Sequence, residues 1–150
     1  MSAYLKELAR QVRESTLQRL DEARPAWLTW APDGTSNHIL WHAGHAVWLQ
    51  DVLCLEPLTG KNNLPAGWAE MFGSRCRPVA ETIEWPSVHE VRTRLTEQLE
   101  DIYAALDAAG LTDNDVPELG GRIIHGLHDE ARHQGEMYLL LKLCQAQHVA

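Results

Sequence analysis

Basic clusters, paired cysteines, long apolar runs and strand patterns are all missing from this chain, and each absence removes a class of function. Thirteen Lys and Arg are dispersed through 150 residues against twenty-one Asp and Glu, for a formal net charge of −8. A partner recognised through its phosphates needs the opposite balance or a local basic block, so neither nucleic acid nor an anionic membrane is an expected partner. The three cysteines, Cys54, Cys76 and Cys144, are odd in number, far apart and without a CxxC pair. That pattern excludes a zinc ribbon and a redox dithiol and predicts reduced, partly buried thiols. No apolar stretch approaches the roughly 20 residues that span a bilayer. The opening "MSAYLKELARQVRES" is charged and amphipathic, unlike a secretory leader, and predicts a cytoplasmic protein. "GKNN" after Thr59 lacks P-loop glycine spacing, and neither GxSxG nor HExxH occurs.

What is present is helix. A chain of this size suits one domain, 1–150, able to bury most of its apolar surface. Leu5, Leu8, Val12 and Leu20 recur at helical spacing and predict a first helix over about 3–24, stopped by Pro25. The polar "TSN" at 35–37 predicts a cap for a second helix through "HILWHAGHAVWLQDVL". About thirty residues rich in Gly, Pro and Asn follow, with a short helix at 67–72; a connection that long suggests a crossover or lid. Ser87 with Glu90 forms a capping-box pattern for a third helix, with Val88, Val91, Leu95, Leu99, Ile102 and Leu106 as its apolar stripe and Gly110 as its stop. A fourth helix spans about 122–147. The reading is all-α: a four-helix bundle with a long connection between its second and third helices, in a topology other than plain up-down-up-down.

Ionisable side chains stand on two of the apolar stripes. In "HGLHDEARHQGEMYLLLKL", Asp129 and His133 are four apart and share a face with Met137, Leu140, Leu141 and Cys144. His125 lies one turn before Asp129, while His128 and Arg132 fall towards solvent or a subunit contact. On the second helix His45 shares a face with Trp41, Trp48, Leu49 and Val52, with His38 and His42 close to the same side. Buried ionisable groups need partners, and a divalent ion would partner all of them. One imidazole from the second helix with Asp129 and His133 makes a three-donor set that leaves coordination positions open, as catalytic sites do. Read singly, His38, His42, His89 and His148 are ordinary hydrogen-bonded histidines, and Asp129–His133 is a simple one-turn pair. The six tryptophans are expected to pack the core and loops or to line an apolar pocket above a metal.

"ILWHAGHAVWLQD" and "HDEARHQGEMYLLLKL" resemble the two signatures of the DinB/YfiT-like superfamily of metal-binding four-helix bundles. The resemblance places His45 on the first ligand, His133 on the last, Gly135 on the family glycine and Glu136 where glutamine is usual. Asp129 stands at the middle ligand, where most relatives have histidine and the mycothiol-dependent maleylpyruvate isomerase branch has glutamate. The resemblance implies a metal-dependent enzyme acting on a small-molecule substrate: a thiol-dependent transferase, isomerase or hydrolase. Zinc or nickel would be held by His45, Asp129 and His133, with a low-molecular-weight thiol as cosubstrate and a homodimeric assembly. His125, Glu130 and His42 are the expected supporting groups, orienting a ligand or relaying a proton. The alternative is a non-catalytic dimeric binding module whose metal site has degenerated.

Overall fold

The computed structural model describes residues 1–34, 37–73, 83–147 and 149. Helix α1 spans Ser2–Glu22, α2 Ile39–Gln50, the short α3 Trp68–Phe72, α4 Val88–Ala109 and α5 Gly121–Ala146. No strand occurs among the described residues. Helix α2 runs on through a π-helical turn, Asp51–Leu55, into Glu56–Thr59, where Gly60 turns left-handed at φ 73°.

Local chemistry explains most of the boundaries. Ser87 accepts from the Glu90 amide while Glu90 bonds back to the Ser87 amide, so the predicted capping box opens α4, and Gly110 at φ 58° closes it. The start of α2 differs from expectation. His38 is the cap, its Nδ1 accepting from the Trp41 amide at 3.0 Å. The polar pair at 35–36, Cys76 and His148 lie outside the described residues. Two stripe residues also differ: Leu8 and Val88 are each 37% exposed. The wheel gives the angle of each residue but not how far a neighbour covers it, and both keep more than a third of their surface open. Arg13 and Thr16, both 1% exposed, complete the inner face of α1 instead.

The interior is two apolar clusters separated by a polar layer. One cluster joins Leu20, Ile39, Trp41, Val47, Val91, Leu95, Met137 and Leu141. The other joins Leu5, Val12, Leu55, Ile102, Leu106, Ile123 and Leu127. Helices α1 and α5 therefore run from the second cluster to the first, whereas α2 and α4 both run from the first to the second. Two consecutive long helices that point the same way need a return path along the whole bundle. That is the physical reason for the long connection between α2 and α4. Helices α1 and α2 each pack on both α4 and α5 and touch one another only lightly, so α1 and α2 face across a diagonal.

At mid-height every long helix contributes to one hydrogen-bonded node. The Arg13 guanidinium donates Nε to Glu130 Oε1 at 2.9 Å and Nη2 to Glu130 Oε2 at 3.1 Å. It also donates to the Leu95 carbonyl at 2.7 Å and to Gln98 Oε1 at 3.0 Å. Glu130 accepts further from Thr16 Oγ1 at 2.7 Å and Gln50 Nε2 at 2.9 Å. Gln98 in turn donates to the Val47 carbonyl at 2.8 Å. The ion pair is buried on both sides, with side chains 2% and 1% exposed. Removing one member of such a pair costs about 3–5 kcal/mol, because the other charge is left buried, whereas apolar replacement of both is far milder. Glu130→Leu is therefore expected to lose most of the protein's stability in urea unfolding. The Arg13→Met/Glu130→Leu double variant should recover the greater part of that loss.

Candidate metal centre

The segment of α2 from Ile39 to Val47 is buried at every position. A helix buried all round needs cover on all sides, and α3 packs on it together with α4 and α5. The contact depends on Gly44, the glycine of "HAGH". A Cβ there would lie 2.3 Å from Cε1 of Phe72, whose ring is fully buried. The close approach brings the Phe72 carbonyl to 2.6 Å from His45 Nδ1. A carbonyl only accepts, so Nδ1 carries the proton and His45 Nε2 keeps a free lone pair. Trp41 and Trp48 stack on the same imidazole at centroid distances of 4.4 and 5.3 Å.

From α5, Asp129 and His133 meet this ring. One donor atom from each of His45, Asp129 and His133 lies within 4.8 Å of the others, and the His45 and His133 rings are 4.5 Å apart between centroids. Arg132 holds the carboxylate, donating through Nε at 3.0 Å and through Nη2 to Asp129 Oδ1. The three groups face a cleft of about 280 Å³, walled by Trp41 and Trp48 and rimmed by Arg132 and Glu136.

A second donor group shares His133. His42, His133 and Glu136 also bring one donor atom each within 4.8 Å. His42 Nδ1 lies 2.9 Å from His133 Nδ1, and His42 Nε2 lies 3.1 Å from Glu136 Oε2. His42, expected as a supporting group, is thus in direct contact with a candidate ligand. The other two expected supports lie elsewhere. Glu130 is the anion of the central node, bonded to Arg13, Thr16 and Gln50. His125 is exposed and bonds His128 across 3.1 Å. It borders a separate groove of about 650 Å³ that contains none of the three candidate ligands. Cys54 and Cys144 are fully buried and free.

Glu136 was not among the donors read from the sequence, and Arg132, placed towards solvent, is 70% exposed along its side chain and yet reaches back to Asp129. Both were detectable: Glu136 is three residues after His133, and Arg132 three after Asp129, within reach on one helix face. The Phe72 carbonyl had no side-chain signal at all.

Burial sets the charge of the site. It lowers the His42 pKa to about 3, assisted by His133 and His45, and the His133 pKa to about 4, assisted by His45 and opposed by Asp129. His38 falls to about 4 by burial, and His45 is lowered by burial against the Phe72 bond. For Asp129, burial pushes upward, but the Arg132 hydrogen bond and the neighbouring His133 outweigh it and leave the pKa below the ordinary value. At neutral pH the centre holds uncharged imidazoles and one carboxylate, the protonation state a divalent cation requires.

Two outcomes follow for the metal-free protein. Gly44→Ala overfills the α2–α3 contact and should cost about 1–3 kcal/mol in denaturant unfolding, with the Phe72 carbonyl displaced from His45 Nδ1. Unfolded imidazoles protonate near 6.5, whereas the folded His42, His133 and His38 do so only near 3 to 4. The unfolded chain binds more protons throughout that interval, so stability is lost as pH falls from about 6.5 towards 4. Ring resonances of His42 and His133 should remain those of neutral imidazole down to pH 5; titration near 6.5 in the folded protein contradicts neutral burial.

The family model for the DinB superfamily matches residues 8–137. No curated protein and no solved structure matches the chain. The matched span contains the polar node on all four long helices, the paired histidines of α2 and the Asp129–His133 turn of α5. The all-helical bundle, its crossover and the match over most of the chain agree, and the protein belongs to the DinB superfamily.

Proposed function

We propose that the protein holds a divalent metal ion through His45, Asp129 and His133 and is a metal-dependent enzyme acting on a small molecule. The observation that carries this reading is the convergence of two uncharged imidazoles and one carboxylate on an open cleft. The donor set fits such an ion. His45 Nε2 is left as a lone pair by the Phe72 bond, and Asp129 is ionised at neutral pH. Two imidazoles and a carboxylate suit zinc or nickel. A metal ion bound there supplies Lewis acidity, lowering the pKa of a water or thiol bound beside it.

The remaining groups have roles of their own. Trp41 and Trp48 orient His45 and give the cleft apolar walls that exclude water from a bound substrate. Arg132, 70% exposed along its side chain, places a guanidinium at the rim, where it attracts a substrate carboxylate or phosphate. That combination suits a thiol-dependent transferase, isomerase or hydrolase with a low-molecular-weight thiol as cosubstrate, working as a cytoplasmic homodimer.

One observation favours a second reading. Arg132 already neutralises Asp129, so the carboxylate has a partner without any ion. On that reading the bundle is a non-catalytic dimeric binding module. Purification without a histidine tag, followed by elemental analysis, separates the two. The native protein should retain close to one equivalent of zinc or nickel, and His133→Ala should retain almost none. A chelator should lower the Tm of the native protein only. Equal, negligible metal in both proteins, with no chelator effect, rejects the metal reading in favour of the module.

A further inference from the structure

We infer that Glu136, His42 and His133 form a hydrogen-bonded chain that determines which nitrogen of His133 is free to hold a cation. The inference rests on the metal reading for its purpose, but its geometry stands on the protein alone. His42 is 1% exposed, and burial keeps it uncharged. A neutral imidazole has one N–H and one lone pair, and both nitrogens of His42 have a close neighbour: His133 Nδ1 at 2.9 Å and Glu136 Oε2 at 3.1 Å.

Only two proton arrangements place a single proton between the two Nδ1 atoms. In the first, His42 is protonated on Nε2, facing the carboxylate, and its Nδ1 accepts from His133 Nδ1–H. His133 Nε2 is then the lone pair. In the second, His42 donates from Nδ1, so His133 carries its proton on Nε2, and the Nε2 lone pair of His42 faces Glu136. The Glu136 side chain is 61% exposed; partial burial and Asp129 raise its pKa against the pull of Arg132, and a carboxylate this open to solvent still carries its charge at neutral pH. The second arrangement sets a lone pair against an anion; the first sets an N–H there. Charge alone therefore selects the first.

The consequence matches what Phe72 does to His45. A backbone carbonyl on one side and a carboxylate–imidazole chain on the other put both candidate ligands in the Nδ1–H tautomer. Each ring then offers an Nε2 lone pair to a cation without first exchanging a proton. Glu136 and His42 are positioning residues, acting on the centre through His133. The carboxylate–histidine–ligand arrangement is the kind that holds ring orientation and raises donor basicity at metal sites, where its loss weakens affinity roughly 10–100-fold.

The test reads the tautomers directly. Long-range proton–nitrogen correlation spectra of the ¹⁵N-labelled, metal-free protein should show His45 and His133 protonated on Nδ1 and His42 on Nε2. Glu136→Ala changes an exposed position, so the fold is retained. It should mix the tautomers of His42 and His133 and weaken zinc binding about tenfold in calorimetric titration. His133 protonated on Nε2 in the native protein, or tautomers unchanged by Glu136→Ala, overturns the chain. Weaker zinc binding without a tautomer change overturns it too and makes Glu136 a ligand. A native protein with the stated tautomers that takes up no zinc overturns the metal reading and leaves the chain standing.

Discussion

The Arg13–Glu130 ion pair lies where all four long helices meet, and the rotation of α5 depends on it. A buried charge needs its counter-charge and its remaining hydrogen bonds together. Glu130 finds them on α1 and α2, through Arg13, Thr16 and Gln50. Arg13 finds its own on α4 and α5. Once Glu130 points inward, its neighbour Asp129 is turned about 100° round the helix. His133, one turn further along, turns with Asp129 to the side where α2 presents His45. The node thus sets the angle at which two parts of the candidate centre face the third. Register set by a buried polar group is a known use of such groups, and here it acts one residue from the site.

A second constraint is steric. Helix α2 is buried along its first nine residues, so its imidazoles are held uncharged by lack of solvent. The connection that returns the chain between the parallel helices α2 and α4 also folds α3 against α2. Gly44 permits the contact, and Phe72 fills it. A topological necessity therefore also fixes the proton of His45, because the carbonyl at the end of α3 arrives with the ring that packs on Gly44. The same short helix therefore both closes the core beside Gly44 and places the carbonyl that holds the His45 Nδ1 proton.

Charge at the cleft is balanced locally. Asp129 is held by Arg132, and Glu136 stands at the rim beside His42. With uncharged imidazoles between them, the site carries both signs at its mouth and little net charge inside. The only full charges lie at the cleft edge, where Arg132 is paired with Asp129, and the imidazoles behind them are neutral. It also shows why the groove of about 650 Å³ beside His125 is the poorer site: none of the converging donors line it.

Much of the fold was legible in the linear chain because its determinants act within one turn. The Ser87–Glu90 box, the stop at Gly110, the short helix ending at Phe72 and the Asp129–His133 pairing are local patterns, and all are present in the structure. The meeting of His45 with Asp129 and His133 was anticipated from two stripes and a family likeness. The stripes give only the face each residue occupies; whether two faces meet is decided by contacts far apart in sequence, such as the 117 residues between Arg13 and Glu130. Leu8 and Val88 were misjudged for that reason, since a wheel gives an angle and not the width of the neighbour that covers it. Glu130 was read as a supporting group of the site because its partner on α1 was invisible. By itself, then, the sequence determined the helices, their caps and the donors each helix offers, because these depend on neighbours three or four residues away. Tertiary packing alone decided which donors converge, which nitrogen each imidazole presents and which carboxylate belongs to the core, because those are properties of distances between helices.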